Sequence, residues 1–485
     1  MFKPVAGFRR HRVMDVVAGL HNLPKHARYE GIYKRFDYYW GLGIEHETYL
    51  MTSQTRTVKT FEGAMKPERY SVNYYSAYKP EPLKAALKDV IDASGGSLVI
   101  PVMMNSHSWT HCDVYGEHKT TYERIPKPNP KFAGQTLFDW ACTHSKWLRD
   151  NYEKAYVWDG DTVEFMTQRF YNTTVDSVIR ELTTVETTFE QAIRTLPKQG
   201  VLIAYSPLRL AAPRNEPWAS YLTNLRNVSM FNNGTIHINV TLPTRLGLNR
   251  RPLNWRSFVE KHRRLARLIQ WLEPFWVALH GSGDPFAIRT WPRDSNEQFA
   301  AGSQRLAVSR YIGVGTFDTD TMPTGKILQV QRASLGSLPW YDWLHGRTAY
   351  QTLDVIGLDL NFNKHWAHGL ELRFFDQFPM ASIRRVLEEL VYVMDAALQI
   401  PSVSKPQNDA RWCRLAGEAL YEGSALYVTP DQLNAVCCAF RIPSDQKEPL
   451  LVKDAMEWIM RRLRTQTGLC KRLMIDGLVQ SSWCC

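Results

Sequence analysis

Between Thr235 and Leu242 the chain reads TIHINVTL, an unbroken alternation of polar residues (Thr235, His237, Asn239, Thr241) with apolar ones (Ile236, Ile238, Val240, Leu242). Successive side chains of an extended strand point to opposite faces, so this period of two predicts a strand with one apolar and one polar face. The Asn233-Gly234 pair just before it is a turn signal. The apolar face belongs to a core and must be covered. The polar face looks elsewhere, and that split is the strongest constraint on the fold.

Three other segments carry chemistry-bearing residues on strand-like stretches. In GLGIEHETYL, Glu45 and Glu47 are two apart and project from one face. Like charges at that spacing repel, so the pair is either solvated or compensated by a cation. In HGLELRFFDQFP, Glu371 and Arg373 alternate with Leu370, Leu372 and Phe374. In VWDGDTVEFMT, an Asp159-Gly160 turn feeds a short strand with Glu164 between Val163 and Phe165. Each segment alone has a bland explanation: a solvent face, a structural ion pair, a surface carboxylate. Their conjunction does not, because several independent bland explanations must then hold together.

Gathered on one concave face, Glu45, Glu47, Glu164 and Glu371 supply carboxylates and His237 a neutral nitrogen, a set suited to two divalent ions. Oxygen-rich ligation without sulfur points to Mg²⁺ or Mn²⁺ rather than zinc. Arg373, with Arg305 and Arg310 in SQRLAVSRYIGVGT, would neutralise phosphate oxygens through bidentate contacts. For Arg305 and Arg310, helix-surface charges are an equal alternative.

The remaining sequence sets bounds. At 485 residues the chain accommodates one large domain or a few smaller ones. Its net charge of +11 favours anionic ligands in general. Basic runs at Phe8–Val13, Lys261–Arg267 and Arg461–Arg464 raise nucleic-acid contact as a lesser reading, since such runs are commonly solvated helix faces and no binding motif accompanies them. No apolar stretch has the length of a membrane span and no secretory signal opens the chain, so an intracellular, cytoplasmic protein is expected. The eight cysteines form no CxxC pair or zinc spacing and are read as reduced thiols, which makes the N-x-S/T triplets at Asn172, Asn227, Asn233 and Asn239 chance matches. Cys484-Cys485 has the form of a prenylation end but is read as a tail, and His107 and His111 as loop histidines.

Residues 1–40 read as a basic, partly helical arm, 41–380 as an α+β body, and 381–485 as a helical C-terminal subdomain. The helices are expected in SIRRVLEELVYVMDAAL, ARWCRLAGEAL, TPDQLNAVCCAF and LLVKDAMEWIMRRLR.

These motifs resemble those of the glutamine synthetase and glutamate-cysteine ligase superfamily, including the carboxylate-amine ligases of bacteria, phages and large DNA viruses. Glu45-x-Glu47 is similar to the family's first-strand E-x-E, NNGTIHINVTL to the strand that reads H-x-H or H-x-N, and Glu371-x-Arg373 to the late E-x-R, in the family's order. The resemblance implies an antiparallel half-barrel sheet flanked by helices. It implies Glu45, Glu47, Glu164, His237 and Glu371 as ligands of two Mg²⁺ or Mn²⁺ ions. It places Asn239, Asn233 and Arg373 at ATP, with Arg373, Arg305 and Arg310 facing the transferring phosphate or the substrate carboxylate. Two points depart from the synthetases: Asn239 replaces a second histidine, and no clear G-Q-N-E segment is present, Asn215-Glu216 being a weak candidate.

The expected reaction is ATP-dependent joining of a carboxylate to an amine through an acyl phosphate, on an amino acid, a peptide or a protein. A guanidino or carboxylate kinase on the same scaffold is the nearest alternative, separable by a stable phosphorylated product. A virion or scaffold protein that keeps the fold without its chemistry is the alternative from another class. Oligomeric state is left open by the sequence.

Overall fold

A computed structural model of the chain describes residues 38–59, 88, 90–106, 108, 136–159, 162–168, 173–200, 202–211, 218–222, 228–230, 234–245, 253–281, 370–465 and 468–477. Residues 1–37 of the basic arm, His107, His111, Asn215, Glu216, Asn233, Arg305, Arg310 and the Cys484-Cys485 end lie outside the described residues, while Tyr38, Tyr39 and Trp40, read with the arm, belong to the first strand.

Among the described residues, ten strands form two five-stranded sheets. The strands are β1 (Tyr38–Thr48), β2 (Leu50–Val58), β3 (Leu98–Met104), β4 (Tyr156–Asp159), β5 (Thr162–Met166), β6 (Arg209–Leu210), β7 (Trp218–Tyr221), β8 (Ser229–Met230), β9 (Thr235–Arg245) and β10 (Leu370–Asp376). One sheet has the order β10-β9-β1-β5-β4 and is antiparallel throughout; the other has the order β6-β2-β3-β7-β8, with one parallel pair, β3 and β7. Only Tyr49 separates β1 from β2, so the chain passes directly from one sheet into the other.

The apolar alternation of β9 does what its period requires. Ile236, Ile238, Val240 and Leu242 are fully buried beside Leu42, Ile44, Leu370 and Leu372 from its two neighbours. Covering that face are α3 (Val175–Arg194) and α4 (Trp255–His280), which follow two short helices, α1 (Leu137–His144) and α2 (Lys146–Asn151). Phe189 of α3 meets Phe165 of β5 edge-on, with ring centroids 5.1 Å apart. Trp276 of α4 lies over Phe374 and Phe375 of β10. Both phenylalanines are buried although adjacent, because the register of β10 shifts between Leu372 and Phe375: Arg373 and Phe374 together oppose the single residue His237.

A second irregularity, between the pairs Tyr39/Thr244 and Gly41/Thr241, accommodates Pro243 within β9. The Leu242 N–H is accepted at 3.1 Å by His262 Nε2 of α4, whose Nδ1–H donates to the Phe258 carbonyl at 2.9 Å. A buried histidine thereby ties the bulged strand to its covering helix.

From Met380 onward the regular elements among the described residues are helices and two two-residue strands: α5 (Met380–Gln399), α6 (Ala410–Glu422), β11 (Tyr427–Val428), α7 (Pro430–Phe440), β12 (Leu450–Leu451) and α8 (Val452–Arg464). Thr429 and Gln432 form a capping box with Pro430 at the first position of α7, the start signal visible in the sequence. These helices share one continuous hydrophobic core with α3, α4 and the β9 sheet.

Polar anchors reinforce that packing. Pro274 inside α4 lacks the N–H that would reach the Gln270 carbonyl, and the Trp412 indole of α6 donates to that oxygen at 3.0 Å instead. Arg264 and Arg267, read from the sequence as part of a solvated basic run, donate to the carbonyls of Ala397 and Val403 at 3.2 and 2.8 Å. Their residue type predicts a charged face; their position on α4 turns them into braces for the end of α5. In α8, Arg462 and Arg464 pair with Asp445 and Glu457, each at 2.9 Å. Among the described residues no helix is long and apolar enough to cross a membrane.

Candidate functional site

The face of the β9 sheet opposite the helices holds the sequence's unusual residues. In an antiparallel ladder, residues directly opposite one another share a face. Glu45 of β1 is opposite His237 of β9 and Met166 of β5. Glu47 is opposite Thr235 on one side and Glu164 on the other. Asn239 is opposite Gly43 and, across the other ladder, Glu371 of β10. Four strands that are distant in sequence therefore put Glu371, Asn239, His237, Thr235, Glu45, Glu47 and Glu164 on one surface.

That surface is enclosed. Glu45 and Glu47 are 6% and 3% exposed and His237 is 1% exposed, while Glu164 is half-buried. Thr235 Oγ1 donates to Glu47 Oε2 at 2.7 Å and lies 3.4 Å from His237 Nε2. The imidazole stands between the two β1 carboxylates, its Nδ1 3.5 Å from Glu45 Oε2 and its Nε2 4.0 Å from Glu47 Oε1. Glu47, buried, and Glu164, half-buried, are like charges directly opposite each other, an arrangement that is costly unless positive charge compensates it.

The turn into β9 is fitted to the site strand. Gly234 has φ +94°, and a Cβ there would stand 1.9 Å from the Glu47 carbonyl oxygen. Only glycine supplies both the positive φ and the missing atom, so β9 starts in contact with the backbone that carries Glu47.

In donor type the set fits a hard divalent cation: carboxylates from two strands and one imidazole, without sulfur. Among the described residues no three His, Cys, Asp or Glu side chains converge as a metal centre; His237 is turned onto the carboxylates. Of Glu371 and Arg373 the strand positions alone are described, and Asn233, Arg305 and Arg310 contribute nothing to the described geometry. On the far side of β1, His46 and Thr48 meet Gln377 just after β10; their signal in the sequence is weak, two polar residues among apolar neighbours on a core face.

Over 459 residues, covering 93% of this chain and 79% of the relative, the sequence is 32% identical to "Uncharacterized protein R704" of Acanthamoeba polyphaga mimivirus. The chain belongs to the family of that mimivirus protein. No protein-family profile matches this member of the mimivirus family. Among solved structures, the family member is similar to a bifunctional glutathione synthetase from Pasteurella multocida, with 10% identity and a TM-score of 0.34 across 93% of its length, and it spans about half, 51%, of that protein.

Proposed function

We propose that the chain is an ATP-dependent carboxylate-amine ligase whose reaction takes place on the polar face of the β9 sheet, with that sheet serving as the half-barrel of a glutamine-synthetase-like domain. The observation that carries this reading is the register that sets Glu45, Glu47 and Glu164 beside His237 and brings Glu371 opposite Asn239. Two buried carboxylates on β1, with the half-buried Glu164 directly across from one of them, are expensive as structure and useful for holding cations.

In this reading Glu45, Glu47, Glu164, Glu371 and His237 hold two divalent ions, which when bound neutralise charge on the phosphates of ATP. Asn239, Asn233 and Arg373 orient the nucleotide, and Arg305 and Arg310 face the transferring phosphoryl group. Thr235 orients Glu47 through its hydroxyl. Burial of the face excludes water, which strengthens every electrostatic interaction in the site and protects an activated acyl group from hydrolysis. A substrate carboxylate oxygen attacks the γ-phosphorus and ADP departs; an amine then attacks the acyl carbon, phosphate departs, and the nitrogen gives up its proton. The products are an amide, ADP and phosphate. Positioning and charge neutralisation account for the catalysis.

Calorimetric titration with a nonhydrolysable ATP analogue, with and without Mg²⁺, tests the reading on the wild-type protein and a Glu47→Ala variant. Mg²⁺-dependent binding that the variant loses is the expected result. A folded Glu47→Ala protein that binds as the wild type does would remove the site from this face.

A further inference from the structure

Behind the Glu45 and Glu47 pair, on the helix side of β1, lies a polar network in an interface otherwise filled by Ile44, Phe165, Ile236 and Phe375. His46 Nδ1–H donates to Glu186 Oε1 of α3 at 2.6 Å. The other ring nitrogen accepts from Gln377 Nε2 at 3.1 Å, and the same amide donates to Thr48 Oγ1 at 3.2 Å. His46, Thr48 and Gln377 are all buried. Gln377 follows β10 and is separated from β1 by β9, yet its side chain spans the gap. The register explains how: Asp376 and Glu47 both pair with Thr235, so the next row sets Gln377 and Thr48 about Gly234, which has no side chain to obstruct the crossing.

Burying an imidazole, a hydroxyl and an amide where aliphatic side chains would pack is costly unless their bonds define something packing cannot. Strand register is such a quantity. A slip of two residues keeps every side chain on its face and preserves the apolar packing, but moves each carboxylate by about two residue rises, ~6.6 Å. Hydrogen bonds to one helix and to the end of a non-adjacent strand forbid that slip. We propose that His46 and Gln377 are positioning residues: they fix β1 against α3 and against β10, and so hold Glu45 and Glu47 at a set height relative to the strand that carries Glu371. The inference rests on the functional reading above for its consequence in binding, and on the geometry alone for the anchor itself.

Gln377→Met keeps the volume and removes both donated hydrogen bonds. Working well below its melting temperature, we expect Mg²⁺-dependent affinity for the nonhydrolysable ATP analogue to fall about 10- to 100-fold, the usual effect of losing groups that orient metal ligands. Amide exchange in residues 45–48 should accelerate about five- to tenfold, with α6–α8 unaffected. Unchanged exchange overturns the anchor, and faster exchange with unchanged affinity overturns the positioning role. Should the wild-type protein bind no nucleotide, the functional reading falls and exchange alone decides: acceleration upholds the anchor, its absence removes it. If Gln377→Met does not fold, Thr48→Val, which removes one hydroxyl at constant shape, is judged by the same two measurements.

Discussion

Glu47 and Glu164 stand directly opposite one another across the β1–β5 ladder, two carboxylates on the same face of a sheet whose other side is core. Like charges in that relation destabilise a sheet by about 0.2–1 kcal/mol. Glu164→Gln is therefore expected to raise the melting temperature of the protein in chelator. Added Mg²⁺ should stabilise the wild type and have a smaller effect on the variant. Scanning calorimetry in EDTA and in Mg²⁺ checks both signs; a variant that melts lower in chelator would contradict the electrostatic account of this face.

Gly234 bears on the same strand from the other side. A side chain there meets the Glu47 carbonyl at 1.9 Å and forces a β-carbon into positive φ, so the turn must move. Gly234→Ala should cost about 1–3 kcal/mol of folding free energy, the scale of a residue held in a sparsely populated backbone region. Urea titration measures it, and a loss under 0.5 kcal/mol, about the scatter of surface changes, would show that the turn relaxes without strain.

The parts of the site that were legible in the sequence were those where one strand carried the signal by itself. The alternation of β9 and the spacing of Glu45 and Glu47 declared faces because a strand's period is fixed at two. That the two carboxylates and His237 lie side by side follows from register, which depends on pairing between strands nearly 200 positions apart and is not encoded in either strand alone. Tyr156–Asp159 is four residues long, too short for its period to stand out, and only its pairing with β5 identifies it as a strand. The bulge in β10 was hidden because Phe374 and Phe375 read equally well as a break in alternation. Arg264 and Arg267 looked like a charged surface because their partners are carbonyls more than 130 residues away.

The Pro274 interruption of α4 offers a test of how the helices are joined. Trp412→Phe keeps an aromatic ring but removes the donor to the Gln270 carbonyl, and should cost about 1–3 kcal/mol from the lost hydrogen bond and a small cavity. Restoring the backbone donor by Pro274→Ala in the same protein should recover part of that loss. Denaturant titration of the single and double variants gives the coupling; strictly additive effects would separate the proline from the tryptophan.

His280 closes α4, its ring stacked on Phe378 with centroids 4.8 Å apart. Burial, with a smaller contribution from the Arg385 guanidinium, lowers its pKa from 6.5 to about 4. That guanidinium is held in place at 2.8 Å by Glu389, which also accepts from the Trp276 indole. Between these two values the unfolded chain carries a proton on His280 that the folded chain does not. Stability is therefore complete above pH 6.5 and declines as the pH falls toward 4, with a slope approaching about 1.4 kcal/mol per pH unit for one proton. His280→Phe retains the stack and has nothing to titrate. Surface carboxylates contribute equally to both proteins, so the difference between their stability curves isolates this residue. The wild type should lose stability faster than the variant through that window and run parallel to it above pH 7, whereas parallel curves throughout would mean that the ring takes up its proton without leaving the fold.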